Sequence, residues 1–338
     1  IYMNILLTGG LGYIGSHIAI ALLESKHEIF IIDNLSNSSI ETLEIIKDLA
    51  SEDIPFKELD LRNYEELKNI FHENNFDAVI HLSGLKAVGD STEQPLDYYD
   101  ANVSSSINLF KCMKEYDVKK LVFSSSATVY GSPKYLPIDE IHPIDPINPY
   151  GRTKAHIEDI LRDFQYSDNN LSIVCLRYFN PIGSHDSGLI GDNPSGVPNN
   201  LMPYILKVFN GELKTLKIFG DDYNTKDGTG IRDYIHINDL SSGHIKALEY
   251  LNSNKNVMDF FNLGTGTGIS VFEVIKSFEK VSKSKITYQM HPRRPGDAES
   301  CYADPSKAKF FLNWEASFSL DDMTKSALKF ILNNNNNK

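Results

Sequence analysis

The chain is poor in cysteine: three in 338 residues, Cys112, Cys175 and Cys301, odd in number and far apart. That excludes a disulfide framework and any thiolate metal spacing, and Cys175, inside an apolar run, reads as core. Basic residues are in deficit. With 33 Lys+Arg against 45 Asp+Glu the net charge is −12, a poor match to nucleic acid or an anionic membrane, both of which reward clustered cations. An anionic small molecule stays in play, because it needs only a few local cations and backbone N–H groups. No apolar run approaches the ~20 residues that span a bilayer, and the first residues lead straight into an apolar stretch with no secretory pattern. Internal repeats and clean linkers are also missing. A soluble, cytoplasmic protein is the expectation, with residues 334–338 as a disordered Asn-rich tail.

What is present is an ordinary globular composition, 41% hydrophobic and 23% charged, in a length that suits an α/β domain with a smaller lobe appended. Residues 4–8 (NILLT) read as a buried strand, followed by Gly9-x-x-Gly12-x-x-Gly15 and a helical pattern through residue 25. Glycines so spaced let the chain turn sharply, let the backbone approach a phosphate, and let the helix pack on the strand, with unpaired N–H groups aimed at an anion. Residues 28–33 (EIFIID) form a second apolar strand that ends in Asp33, about 20 residues after the glycines, where a carboxylate reads a ribose diol and repels a 2′-phosphate. NAD is therefore favoured over NADP.

Strand and helix signals keep alternating. Strands are expected at 56–60, 78–82, 121–124 and 171–178, and helices at 64–73, about 96–115 and from Tyr150 onward. Repeated β-α-β with apolar strands predicts an α/β fold, a doubly wound, Rossmann-like parallel sheet with helices on both faces, whose ligands bind beyond the carboxyl ends of the strands. Beyond Asn180 the pattern loosens. Residues 181–200 are a long loop rich in Gly, Pro, Asp and Asn, of a kind that carries function. Helices about 201–210, 240–251 and 271–281 and near 305 and 321, strands at 216–219, 260–263 and 286–289, and a loop up to residue 233 complete the pattern. The division expected is a cofactor domain at 3–180, supplemented by elements from 181–270, and a smaller C-terminal substrate lobe at 181–333.

Tyr-x-x-x-Lys occurs four times, at Tyr64/Lys68, Tyr116/Lys120, Tyr130/Lys134 and Tyr150/Lys154. Spacing of four puts both side chains on one helix face, where an ammonium would lower the pKa of a phenol. Pro133 breaks the third copy, the second runs into a strand, and the first lacks an upstream serine hydroxyl. Only Tyr150 opens an amphipathic helix after a proline-rich entry, with Ser124, Ser125 and Ser126 upstream. Tyr150 with Lys154 is the candidate proton-transfer pair.

With Gly9, Gly12, Gly15, Asp33, Ser126, Tyr150 and Lys154 in order, the chain resembles the extended short-chain dehydrogenase/reductase family. Residues 8–17 (TGGLGYIGSH), 81–89 (HLSGLKAVG), 123–131 (FSSSATVYG), 177–181 (RYFNP), 198–203 (PNNLMP) and 227–236 (DGTGIRDYIH) extend the match over essentially the whole chain, toward its nucleotide-sugar 4-epimerases. The resemblance implies reversible epimerisation at C4 of UDP-hexoses, UDP-galactose to UDP-glucose, through a 4-keto intermediate with tightly bound NAD. Tyr150 would act as base, Lys154 would hold the nicotinamide ribose and depress the tyrosine pKa, and Ser126 would pass the proton. It further implies that Tyr13 and Ile14 line the diphosphate turn and that Asp33, Asn34, Asn37 and Ser38 hold the adenosine ribose. Asp60 and Leu61 would flank adenine, and Leu82, Ser83, Gly84, Lys86, Asn102 and Phe179 would touch the rest of the cofactor. The UDP-sugar positions are Lys86, Asn180, Asn200, Leu201, Lys217, Ile218, Phe219, Arg232, Arg294, Asp297 and Cys301, together with Ser126 and Tyr150, with both arginines suited to forked contacts on phosphate. Cys301 stands where the family has a large tyrosine in members confined to unacetylated sugars, so room for an N-acetyl group follows. No metal is implied, and a homodimer pairing helices near 96–115 and 150–166 is. Ala127-Thr128 replaces the Asp-Glu pair of the family's dehydratases. A uronic-acid 4-epimerase and a non-catalytic NAD sensor are the remaining alternatives.

Overall fold

The computed structural model describes residues 2–194, 196–294 and 297–336. Strand β1 (Asn4–Thr8) enters helix α1 (Tyr13–Glu24), then β2 (Glu28–Asp33), α2 (Glu41–Ala50), β3 (Phe56–Glu58), α3 (Tyr64–Glu73) and β4 (Ala78–His81). After α4 (Val88–Glu93), α5 (Pro95–Tyr99) and a π-helical stretch (Asp100–Ser104) come α6 (Ser105–Glu115), β5 (Lys120–Ser126), a 3₁₀ turn (Ala127–Tyr130), α7 (Pro149–Ser167) and β6 (Ser172–Tyr178). The remainder is β7 (Asn180–Ile182), α8 (Leu201–Phe209), β8 (Leu216–Phe219), β9 (Ile231–His236), α9 (Ile237–Ser253), β10 (Met258–Leu263), β11 (Gly268–Ser270), α10 (Val271–Ser282), β12 (Tyr288–His291), β13 (Ser300–Cys301), α11 (Ser306–Phe311) and α12 (Leu320–Asn336).

Seven strands form one parallel sheet in the order β10-β6-β5-β4-β1-β2-β3. Successive strand residues point to opposite faces, so β1 sends Ile5 and Leu7 into the core against α1, α2 and α9, while Leu6 joins the core against α3, α6 and α7. Both faces are buried, which is why these strands are apolar throughout rather than alternating. Cys175 is fully buried in the second of these cores. The strand order reverses between β1 and β4, and the glycine turn after β1 faces the segment after β4 across that crevice. A third core joins α8, α10 and α12 to β8 and β9, and small sheets β11-β9-β13 and β12-β8 lie beside it, with β7 pairing β9. Among the described residues no helix is long and apolar enough to cross a membrane.

Several expectations need correcting. The helix expected over 96–115 is interrupted, because the π stretch turns Asn102 inward, where its amide donates to the Leu85 carbonyl and to Thr153 and accepts from the Leu85 N–H. Helix α2 had no counterpart in the pattern reading, although Leu43 and Ile46 give it a buried stripe. Strand β9 begins inside the expected 220–233 loop, and β12 lies two residues later than expected. Of the tail expected at 334–338, residues up to Asn336 continue α12, with Asn335 donating to Asn210; Asn337 and Lys338 lie outside the described residues.

Candidate active site

At the switch point between β1 and β4 lies a cavity of about 550 Å³. Its floor is the glycine turn. Gly9 has φ +70°, and a Cβ on Gly15 would stand 2.1 Å from the Gly9 carbonyl oxygen, so neither position tolerates a side chain without moving backbone. Helix α1 starts at Gly12 with no capping side chain, which leaves its first N–H groups and its dipole directed at whatever anion lies in the turn. Asp33, buried at the end of β2, accepts from the Leu11 N–H at 3.0 Å on one oxygen and from the Leu35 N–H at 3.0 Å and the Ser38 hydroxyl at 2.7 Å on the other. The oxygen facing Leu11 keeps a lone pair for a ligand hydroxyl. A ribose diol fits this setting, and a 2′-phosphate would meet a held carboxylate.

All the residues expected around the dinucleotide line this cavity except Asn102, Phe179, Tyr150 and Lys154. Asn102 is occupied by Leu85 and Thr153, and Phe179 packs in a small buried cluster with Val129, Tyr130 and Ala303. Asp60 is held well below the ordinary carboxylate range by the Arg62 guanidinium that donates to it. Leu189 to Asn193 and, from the far end of the chain, Phe330 and Asn334 line the cavity without having been singled out. The loop composition at 181–200 marked the first group as functional; nothing local marked the second.

Tyr150 is the second residue of α7, which Asn148 caps by accepting from the Gly151 N–H at 2.8 Å. Gly151 lies against the 3₁₀ turn that follows Ser126; a Cβ there would come within 2.7 Å of the Thr128 carbonyl oxygen. This close approach brings the Tyr150 phenol near the Ser126 hydroxyl, which acts to lower its pKa, while the Ser126 oxygen accepts from the Thr128 N–H at 3.2 Å and the Thr128 hydroxyl at 3.0 Å. Lys154, one turn on, is buried and donates to the Ser124 carbonyl at 2.8 Å, and Ser124 lines the cavity. The electrostatics differ from expectation. Burial raises the Tyr150 pKa, opposed only by the Ser126 hydrogen bond, and burial also pushes Lys154 down to about 8. The lysine proton is directed at a backbone carbonyl rather than at the phenol, so the chain alone does not acidify Tyr150.

The expected sugar-nucleotide residues come together on the smaller sheets. Arg232 on β9 is paired in register with Cys301 on β13. Asp297 lies between the two arginines, 3.6 Å from Arg232 and 2.9 Å from Arg294, and the Arg294 guanidinium stacks over Phe219 of β8 with 5.0 Å to the ring centroid. Lys217 is exposed beside it, whereas Ile218 points into the third core. Asn180 pairs with Tyr234 through β7, and Asn200, with Leu201 next to it, opens α8 close to Asp192 on the cavity wall, whose carboxyl pKa is raised by burial while Lys86 and Asn200 act to lower it. Cys301 is partly buried against the Phe179 cluster, and burial pushes its thiol up to about 11, so it presents bulk rather than a nucleophile.

The described geometry has counterparts in known proteins. The family model for GDP-mannose 4,6 dehydratase matches residues 6–327. The UDP-glucose 4-epimerase of Bacillus subtilis is 52% identical over 99% of this chain and 98% of its own. A crystal structure of the Bifidobacterium longum UDP-glucose 4-epimerase in complex with NAD+ and UDP superposes with a TM-score of 0.95 at 47% identity, covering 99% of this chain and 100% of that one. The UDP-Glc/GlcNAc 4-epimerase of Campylobacter jejuni superposes with a TM-score of 0.85 at 38% identity, covering 98% and 99%.

Proposed function

Because the chain belongs to the extended short-chain dehydrogenase/reductase family matched by the GDP-mannose 4,6 dehydratase model, and within it to the UDP-glucose 4-epimerases, we propose that it interconverts UDP-galactose and UDP-glucose with bound NAD. The observation that carries this is Tyr150 and Lys154 one turn apart on α7, with the Lys154 ammonium on the carbonyl of Ser124, a residue that lines the glycine-floored cavity. Gly9, Gly12 and Gly15 would seat the diphosphate of NAD, Asp33 its adenosine ribose, and Lys154 the ribose of the nicotinamide half. NAD, when bound, would supply reversible hydride transfer at C4, by way of a 4-keto sugar, and a positive charge. Tyr150 would accept the proton of the 4-hydroxyl. Ser126, near that phenol, would orient the reacting oxygen and relay the proton. Burial keeps Tyr150 protonated in the chain alone, so its basicity is switched on by the neighbouring cation rather than standing ready in its absence.

Arg232 and Arg294 would fork onto the UDP diphosphate, with Asp297 holding their planes apart. An anchor confined to the nucleotide leaves the hexose free to turn, so that either face of C4 meets the same partner. Residues 3–180 with β10 and α9 then serve the cofactor, and much of 181–333 the sugar nucleotide. Cys301, opposite Arg232, leaves space for an acetamide, which supports turnover of UDP-N-acetylhexosamines as well. Two copies would pair through α5, α6 and α7, whose Leu96 and Tyr166 are 80% and 88% exposed; a monomeric mass by light scattering would refute the pairing. The direct test is to incubate purified protein with UDP-galactose and no added cofactor. UDP-glucose should form, Tyr150→Phe should slow its formation about 10²–10⁴-fold, and no conversion by the unaltered protein would overturn the proposal.

A further inference from the structure

The wall of the cavity contributed by Leu189 to Asn193 is a strap rather than part of a sheet or helix. It leaves β7 at Ile182, doubles back through a single bridge between Ser184 and Gly191, and crosses the N-terminus of α1, where the Tyr13 hydroxyl donates to the Gly183 carbonyl at 2.9 Å. Its outer side is held by α12 and, at the Asp186 side chain, by Asn238 of α9, which donates to it at 3.0 Å. The Ser184 hydroxyl donates to the Ser326 carbonyl at 2.6 Å, and the Ser184 N–H donates to the Ser326 hydroxyl at 3.1 Å. Lys329 donates to the Asp186 carbonyl, and the Asn333 amide donates to the carbonyls of Ser187 at 3.2 Å and Gly188 at 3.3 Å. Two glycines permit the approach. A Cβ on Gly191 would lie 2.6 Å from the Phe330 ring, and one on Gly188, where φ is +73°, 2.6 Å from the Asn333 amide. Phe330 is itself buried and, with Asn334, reaches past the strap to line the cavity directly.

We propose that α12 is part of the dinucleotide site: Phe330 and Asn334 complete its wall, and Ser326, Lys329 and Asn333 clasp the strap over it, so that the last helix sets how long NAD stays bound. This rests on the NAD reading above. The strap forms one wall of the cavity beside the glycine turn, so a dinucleotide leaving the turn gives up its contacts with the strap, and the bonds to α12 hold the strap in that position. Three of the five bonds end on backbone carbonyls of the strap and a fourth starts from the Ser184 N–H, so the clasp holds mainly the strap's main chain.

The test is retention of the cofactor rather than turnover. Protein carrying NAD is transferred to cofactor-free buffer, and the nucleotide still bound is measured by absorbance after denaturation at successive times. Lys329→Ala combined with Asn333→Ala, both on the helix surface where alanine keeps the helix, should shorten retention about tenfold or more, the scale of a few lost hydrogen bonds. Gly191→Ala should act in the same direction by pushing the strap off Phe330. Leu332→Ala, on the same helix but 44% exposed, should retain NAD as the unaltered chain does. Equal retention by the clasp variants, or equal loss by Leu332→Ala, would overturn the clasp. An unaltered protein that neither carries nor takes up NAD would sink the cofactor reading, and this inference with it.

Discussion

The floor of the dinucleotide cavity and the arginine cluster on the smaller sheets are built in opposite ways. The floor is backbone: glycines whose missing side chains let main chain touch main chain, with one buried carboxylate held by three donors. The cluster is side chain: two guanidiniums and a carboxylate, 20–49% exposed, that meet across separate strands and loops. Backbone contacts have no rotamers to lose, so the floor is preformed. Ion pairs of this exposure are weak when nothing is bound, so the arginines stay available to a ligand. Under the proposed function, the backbone-built floor would retain the cofactor and the side-chain-built cluster would exchange the sugar nucleotide.

Acidification should act on both regions at once and give the largest effect. His17 on α1 and His81 at the end of β4 are pushed by burial to about 3, and His236 at the end of β9 and His244 on α9 to about 4. Unfolded, each binds a proton near pH 6.5. Between that value and about 4 the unfolded chain therefore holds more protons than the folded one, and stability is lost as pH falls through this window. Each histidine contributes about 1.4 kcal/mol per pH unit there at most. Urea denaturation at pH 7.5 and 5.5 checks this, and equal midpoints would contradict it.

Gly15→Ala separates the regions from the backbone side. With its Cβ overlapping the Gly9 carbonyl, the turn must open, and NAD retention and turnover should fall together, about a hundredfold or more, while UDP binding by calorimetry persists. Arg294→Ala is the converse. It should raise KM for the UDP-sugar about tenfold, the scale of one charge-assisted hydrogen bond, and leave bound NAD untouched; loss of NAD in this variant would erase the contrast. The smallest change in contacts, Cys301→Tyr, should suppress turnover of UDP-N-acetylglucosamine and spare UDP-glucose to within about threefold. Equal activity of the variant on both sugars, or no N-acetyl turnover before substitution, would remove Cys301 as the gate.

Much of the cavity was legible because its signals are local. Gly9, Gly12, Gly15 and Asp33 lie on one β-α-β unit, and their roles follow from spacing along a chain whose geometry the apolar strands already set. Tyr150 could be chosen over three rival copies from its proline entry and its helix. The sign of its pKa could not, because that depends on where the Lys154 ammonium points, and it points to the Ser124 carbonyl. The broken helix at 100–104 was equally hidden, since it accompanies hydrogen bonds in which the Asn102 side chain accepts from the Leu85 N–H and donates to the Leu85 carbonyl, seventeen residues away.

By itself the sequence determined most of the alternation of strands and helices in the large sheet, its two-faced apolar character, and the glycine turn between β1 and α1, since each is encoded in residues close along the chain. Only the tertiary structure decided that Asp297 lies between Arg232 and Arg294, that Cys301 sits opposite Arg232, and that Phe330 reaches the cavity from the last helix. Those contacts join side chains far apart in the chain, and they form only when packing of the third core fixes where the small sheets and the final helix come to rest.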